Sequence, residues 1–315
     1  MPLISQSKIN QSSNEELVEL PKQYSEDAQM RILYRLADIL CIDRKRCIIE
    51  KGAPGTKWLN NDILQVRFLL VENSSFPAIY LFLHEAGHAL YRLNSGIGVS
   101  PSVEISFAFD ECQARFFEAY LGHSKPFIRI IHALLAEEFP SVFSNISIDS
   151  LYKFLNQIDC TSPRIKADEV SYFMHIFIRY EIEKELFAQA ISAQDARDEW
   201  NRLSKEYLGV SITRDKDGIL QDSHWGKGRF GYFSAYALGS ANASIIYDTA
   251  VKNRLITDNL SPESVSNIIS WMTKDYWIPS LKNSTQFSLD TKSSLTACVA
   301  VLKNYLYQKY LPLQN

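Results

Sequence analysis

The sequence predicts a mainly α-helical protein with one small β-sheet, on three observations. Apolar residues recur at helical spacing in several long segments. A single run, ILQVRFLLV, reads clearly as a strand, and no internal repeat or low-complexity tract divides the chain. The 315 residues, 46% hydrophobic and 22% charged, suffice for a large buried core and exclude a disordered or fibrous chain. We expect a flexible segment over residues 1–24 and one domain over 25–315.

The elements follow in chain order. Residues 1 to about 14 are polar and are expected to fray. Ser25 is placed to cap a helix with Asp27 in its first turn and Met30, Leu33, Leu36, Ala37 and Leu40 on one face. GAPGTKWLNND reads as a loop before the strand Ile63–Val71. Strong helical patterns then span Pro77–Leu93 and Phe107–Leu121. A longer one runs from Pro163 to Ala190, with Val170, Phe173, Phe177 and Tyr180 in helical register and Ser162 as its cap. Gly218–Gly231 is a glycine-rich, aromatic loop, and Ser261–Leu311 returns to helix.

Several function classes drop out. A net charge of -3, with only the short basic cluster Arg44–Arg46, offers no field to recruit nucleic acid. No run approaches the ~20 apolar residues of a membrane span, and the first residues have no apolar stretch of the secretory kind. Five scattered cysteines without a CxxC point to buried or free thiols in a reducing cytoplasm, not to disulfides or a cysteine-ligated metal.

One motif carries chemistry. His84-Glu85-Ala86-Gly87-His88 is an H-E-x-x-H sequence, and on a helix the two histidines share a face and can meet one ion. With 6 histidines in the chain, about 0.007 accidental matches are expected, so chance is a poor explanation. The flanking YLFL and ALY make the helix a buried one, where two imidazoles and a carboxylate would be costly without a partner. Glu85 is placed to take a proton from a metal-activated water. A catalytic site also needs a third protein ligand, and Glu104, Asp110, Glu111 and Glu118 are the downstream candidates. Glu111 lies on a largely buried aromatic helix, although an i, i+4 pair with Arg115 would also account for it. Composition leaves Glu111 and Asp110 open.

HEAGHALY, DECQA, PRIKADEVSYFMHIFIRYEIEK and GILQDSHWGKGRFGYFSAYALG, in that order, resemble the signature blocks of the carboxypeptidase Taq family of metallocarboxypeptidases. The blocks are HExxH, HE-S/G-Q, I/V-R-x-x-A-D and GxxQDxHW, and the resemblance covers about Leu64 to Leu238. It implies a zincin-like helical fold with a small sheet beside the active-site cleft. It also implies His84, His88 and Glu111 as metal ligands, with Glu85 as general base. The metal it implies is zinc by default, with cobalt or manganese feasible. His224, then Tyr236, become donors to the developing oxyanion. A planar guanidinium suits a terminal carboxylate, so Arg164, and second Arg67, become its readers. Gln221 and Asp222 are expected to shape the loop or orient a ligand. His175 and Glu169 line either the cleft or the core. The departures are Gln65 and Leu69 in the D-x-R-x-T strand block, Ala53-Pro54-Gly55 near the place of HPF, Pro163 for Ile/Val, Asp110 for His and Cys112 for Ser/Gly. The family's long N-terminal helical region is also mostly missing.

The function so implied is release of C-terminal residues from peptides, with a homodimer as a possible assembly. An endo- or aminopeptidase with an opened cleft is the alternative within enzymes. A non-catalytic binding protein stapled by its metal is the alternative outside them.

Overall fold

The computed structural model describes residues 24–70, 74–95, 107–277 and 292–311. The polar first residues and Glu104 lie outside these. The chain divides into two compact units: of the described residues, the larger holds those up to Leu155 and again those of Gly239–Leu302, the smaller Asn156–Leu238 and those from Lys303.

The larger unit opens on α1 (Glu26–Ile39), where the Ser25 hydroxyl accepts from the Ala28 amide at 3.2 Å as expected of the cap. Three short strands follow: β1 (Cys47–Lys51), β2 (Gly55–Trp58) and β3 (Leu64–Phe68). Their order is β1-β3-β2, with β3 parallel to β1 and antiparallel to β2. The expected loop before β3 therefore contains a strand of its own. Four residues are too few to show a period, and β2 is held by pairing with β3. The strand itself ends earlier than the apolar run suggests. Pairing stops at Lys51↔Phe68, and Leu69 is 45% exposed.

Along β3, Leu64, Val66 and Phe68 are fully buried while Gln65 and Arg67 are half-buried, the alternation of a strand with one face on a core. That core face meets α2 (Phe76–Ser95), with the Phe68 and Phe82 rings edge-on at 5.8 Å. Helix α3 (Phe107–Arg115) runs on into a π-helical turn, Phe116–Leu121. The unit continues through α4 (Lys125–Glu138), the short α5 (Pro140–Phe143) and α6 (Ile148–Leu155).

In the smaller unit, α7 (Ser171–Phe187) and α8 (Asp195–Leu203) pack Ile178, Ile182, Trp200 and Leu203 into one core with Tyr310. Helix α7 starts eight residues later than the pattern suggested. Its start is fixed by Asp168, whose Oδ1 accepts from the Val170 and Ser171 amides, both at 2.8 Å. Residues 164–166 form only a 3₁₀ turn, and Ser162, the expected cap, donates instead to the Asp217 carbonyl. Helix α9 (Ser234–Lys252) starts in the smaller unit and passes into the larger. Then come α10 (Pro262–Met272) and α11 (Lys292–Tyr310). All five cysteines are free, and no described helix is long and apolar enough to cross a membrane.

Candidate metal centre

Helices α2 and α3 come together in the larger unit because a glycine lets them. A Cβ at Gly87 would lie 2.6 Å from the Gln113 carbonyl oxygen and 2.7 Å from Ala114 Cα, so only hydrogen fits there. Close approach sets Glu111 of α3 opposite the two histidines of α2. Glu111 Oε2 stands 3.6 Å from His84 Nε2 and 4.0 Å from His88 Nε2. One ligand atom from each of the three residues lies within 4.8 Å of the others. Glu111 and His88 are buried and His84 nearly so. The second glycine at this place is Gly239, where a Cβ would approach Glu111 Cβ and the Cys112 amide to 3.0 Å.

The residues fit a metal ion. Two imidazoles and a carboxylate are the donor set of a catalytic zinc site, and donors around a tetrahedral ion at about 2.1 Å stand about 3.4 Å apart. The His84–Glu111 separation is within about 0.2 Å of that, and the other two donor pairs are wider, at no more than 4.8 Å, so the three side chains need only close slightly around an ion. Both histidines aim Nε2 at Glu111 and engage Nδ1 on their other side. His84 Nδ1 meets Glu118 Oε2 at 2.9 Å, and His88 Nδ1 lies 3.0 Å from Asp110 Oδ1, an ion contact too poorly aligned for a true hydrogen bond. The Glu118 carboxylate on the far nitrogen of His84 fixes that ring's orientation and tautomer, as in carboxylate–histidine–zinc arrangements, and Asp110 stands in the same place behind His88 as a charge partner. Two of the four carboxylates weighed as third ligand thus stand behind the histidines instead.

Burial works against a charged His84, but Glu118, Glu111 and Glu85 outweigh it and push the imidazole up to about 9. His88 is raised likewise, burial opposing and Asp110 and Glu111 prevailing. Glu118 is itself held down to about 2, the charges of Arg115 and His84 overcoming burial. A metal ion must displace the imidazole protons to bind.

Glu85 is 7% exposed and sits within the motif. Its Oε2 accepts a 2.7 Å hydrogen bond from Thr56 Oγ1 on β2. Sequence reasoning missed Thr56, and nothing in the sequence marks it, since its strand was hidden in a loop. It missed Arg92 too, although a signal was there: Arg92 follows His88 by four residues, as His88 follows His84, so all three share a stripe. Arg92 Nη2 meets Asp110 Oδ2 at 2.9 Å.

Arg67 is on the same unit but on the other face of β3 from Phe68, its side chain packed over Gly52. Arg164, His224 and Tyr236 are in the smaller unit and gather around Phe233. The Arg164 guanidinium lies 4.7 Å from that ring, His224 4.9 Å and Tyr236 5.2 Å. Arg164 does not use Asp168, whose carboxylate serves the α7 cap. Gln221 takes the loop-shaping role expected of it: its Oε1 accepts from the Arg164 amide at 2.8 Å and its Nε2 donates to the Ser162 and Asp217 carbonyls. Asp222 does the same for the next turn, accepting from the His224 and Trp225 amides and pairing with Arg179 at 2.5 Å, both side chains fully buried. Gly228 and Gly231, at φ 69° and 74°, give the loop its left-handed turns. His175 is a core residue bonded to the Thr161 carbonyl, and Glu169 receives Lys309 and Tyr310.

Known proteins bear on this arrangement. Carboxypeptidase 1 of Bacillus subtilis (strain 168) is 32% identical over 272 residues, 83% of this chain and 53% of its own length. The chain thus spans about half the length of that curated relative. The crystal structure of BsuCP superposes with a TM-score of 0.87 at 29% identity, over 99% of this chain and 64% of that one. Trypanosoma cruzi metallocarboxypeptidase 1 gives a TM-score of 0.83 at 25% identity, over 98% of this chain and 63% of its own. The sequence profile of the carboxypeptidase Taq (M32) metallopeptidases matches residues 1–310, well beyond the Leu64–Leu238 span of the signature blocks. This chain belongs to the carboxypeptidase Taq (M32) metallopeptidase family.

Proposed function

We propose that this protein is a metal-dependent carboxypeptidase that removes C-terminal residues from peptides, with zinc as its ion and cobalt or manganese as workable substitutes. The observation that carries the reading is the convergence of His84, His88 and Glu111 beside a Glu85 carboxylate held by a hydroxyl. A purely structural metal site has no use for that base. The ion supplies Lewis acidity, polarising a carbonyl and acidifying a water molecule.

The chain's own residues do the rest. Glu85 accepts the proton of the attacking water and delivers it to the leaving amine. Thr56 Oγ1, 2.7 Å from Glu85 Oε2, fixes which way the carboxylate faces. His224, and after it Tyr236, donate to the developing oxyanion, an assignment that rests on the family block GILQDSHW and its continuation. Burial, with the positive charges of Arg164, Arg179 and Arg229, holds the His224 imidazole down to about 4, so it is neutral near pH 7 and keeps one N–H to give. Arg164, whose guanidinium lies over the Phe233 ring, reads the substrate's α-carboxylate, with Arg67 as second candidate. The substrates are peptides, residues 25–315 act as one catalytic domain, and the compartment is the cytoplasm.

The test offers zinc-loaded protein matched peptides with free and with amidated C-termini, beside Glu85→Gln. Cleavage of the free acid alone, abolished in the variant, is the expected result. Equal cleavage of both peptides would show an endopeptidase or aminopeptidase, and cleavage of neither with zinc retained would show a binding protein.

A further inference from the structure

We infer that Arg92 is a positioning residue that ties the metal ligand His88 and the base Glu85 into one frame, through Asp110 on one side and Thr56 on the other. Its two arms are on the page. Nη2 reaches Asp110 Oδ2 at 2.9 Å, and the other oxygen of that carboxylate lies 3.0 Å from His88 Nδ1. Nη1 donates to the Thr56 carbonyl, and the hydroxyl of that same threonine donates to Glu85 Oε2 at 2.7 Å. The Thr56 hydroxyl also stands 3.1 Å from the Glu85 carbonyl, within reach of the same proton but farther than the carboxylate.

The side chains of Arg92 and Asp110 are only 17% and 14% exposed, which places the pair out of the strongly screened surface. Strand β2 is an edge strand of four residues, and its partner β3 grips it along one side only. Arg92 supplies a second hold on β2, at the residue that touches the base. A guanidinium does this because its planar fork can serve a carboxylate and a carbonyl at once, which a single ammonium does less well. The same fork accounts for Asp110 in this chain, where the signature block has histidine: an arginine at this place calls for an acceptor. The role of Glu85 here rests on the peptidase reading, while the link from Arg92 to His88 does not.

The experiment compares Arg92→Ala, Arg92→Lys, Asp110→Asn, Thr56→Val and Thr56→Ser with wild type. Zinc affinity is read by competition with a chromophoric chelator, the thermal midpoint is read on metal-free protein, and kcat and KM are read on the free-acid peptide. Arg92→Ala and Asp110→Asn are expected to weaken zinc by about 10–100-fold, the usual cost of losing a group behind a ligand. Thr56→Val is expected to keep zinc within about twofold, lower kcat by about 10-fold and leave KM unchanged, with Thr56→Ser restoring the rate. Arg92→Ala shows both defects, and Arg92→Lys recovers no more than one of them. Zinc affinity in Arg92→Ala within about twofold of wild type overturns the inference. So does a zinc loss in Arg92→Ala that follows a fallen metal-free midpoint while Asp110→Asn binds normally, because that is a packing defect. A wild type that binds zinc and cleaves nothing sinks the peptidase reading instead, and the zinc comparisons then decide the Arg92 frame alone.

Discussion

Helices α2 and α3 hold their charged groups by periodicity, whereas the Arg164 and His224 segments of the smaller unit are held by side chains bonded to loop backbone. On α2, His84, His88 and Arg92 recur every four residues, and on α3 and the π-helical turn that continues it Glu111 and Glu118 stand seven apart. Contacts such as His84 to both Glu111 and Glu118 follow from helix geometry. In the smaller unit nothing is periodic at the site. Gln221 ties the backbone at Arg164, Ser162 and Asp217, and Asp222 ties His224 and Trp225. A change on the helices should therefore remove one contact and leave its neighbours in place. A change in the loop's ties should release the whole segment.

Substitutions can break or sharpen that contrast. The largest effect is expected from Glu85→Gln, a drop of about 10²–10⁴ in kcat with zinc affinity retained. Peptide assays beside chelator competition check it, and loss of zinc in this variant would show that the helix contacts are not separable. Next comes Asp222→Asn, which leaves Arg179, fully buried, without its opposite charge. Breaking such a pair costs about 3–5 kcal/mol. Hydrogen exchange should place the loss within residues 156–238, and an even loss along the chain would contradict a tie local to the loop.

Gly87→Ala is expected to cost about 1–3 kcal/mol as overpacking between α2 and α3, with weaker zinc binding because Glu111 is pushed back. Urea unfolding and chelator competition read the two effects. The smallest effect concerns pH. His224 is held at about 4 against an ordinary 6.5, so the fold favours its neutral form. That contribution is complete above pH 6.5 and is lost as pH falls through about 4. His224→Gln should therefore flatten the acid loss of stability in this window, measured as denaturant midpoint against pH. An unchanged acid limb would assign the loss to the carboxylates.

The same contrast decides what could be read from the sequence. The His84/His88 pair was legible because a spacing of four residues puts both imidazoles on one face of a buried helix. Residue types alone left Glu111 and Asp110 tied, and the structure separates them by the roughly 100° between neighbouring helical residues: Glu111 faces the two Nε2 atoms while Asp110 meets His88 from behind. Helix α7 was predicted to start at Pro163 because its apolar period is real, but the period says nothing of where a carboxylate such as Asp168 will cap. Thr56 and the Arg179–Asp222 pair were not legible, since each depends on residues 29 and 43 positions apart meeting in space. Loop shape set by such distant ties leaves no local pattern.

Cys112 follows Glu111 directly, yet its thiol is wholly buried and burial drives its pKa well above the ordinary range. Cys47 and Cys298 are also buried, Cys160 is half-covered, and Cys41 lies in the open. Alkylating reagents, which attack thiolates, should accordingly modify Cys41 first and spare the ligand helix. A fluorophore attached at Cys41 would then report on the native molecule without touching its chemistry, and the number of thiols reacting quickly would rise from one toward five as the chain unfolds.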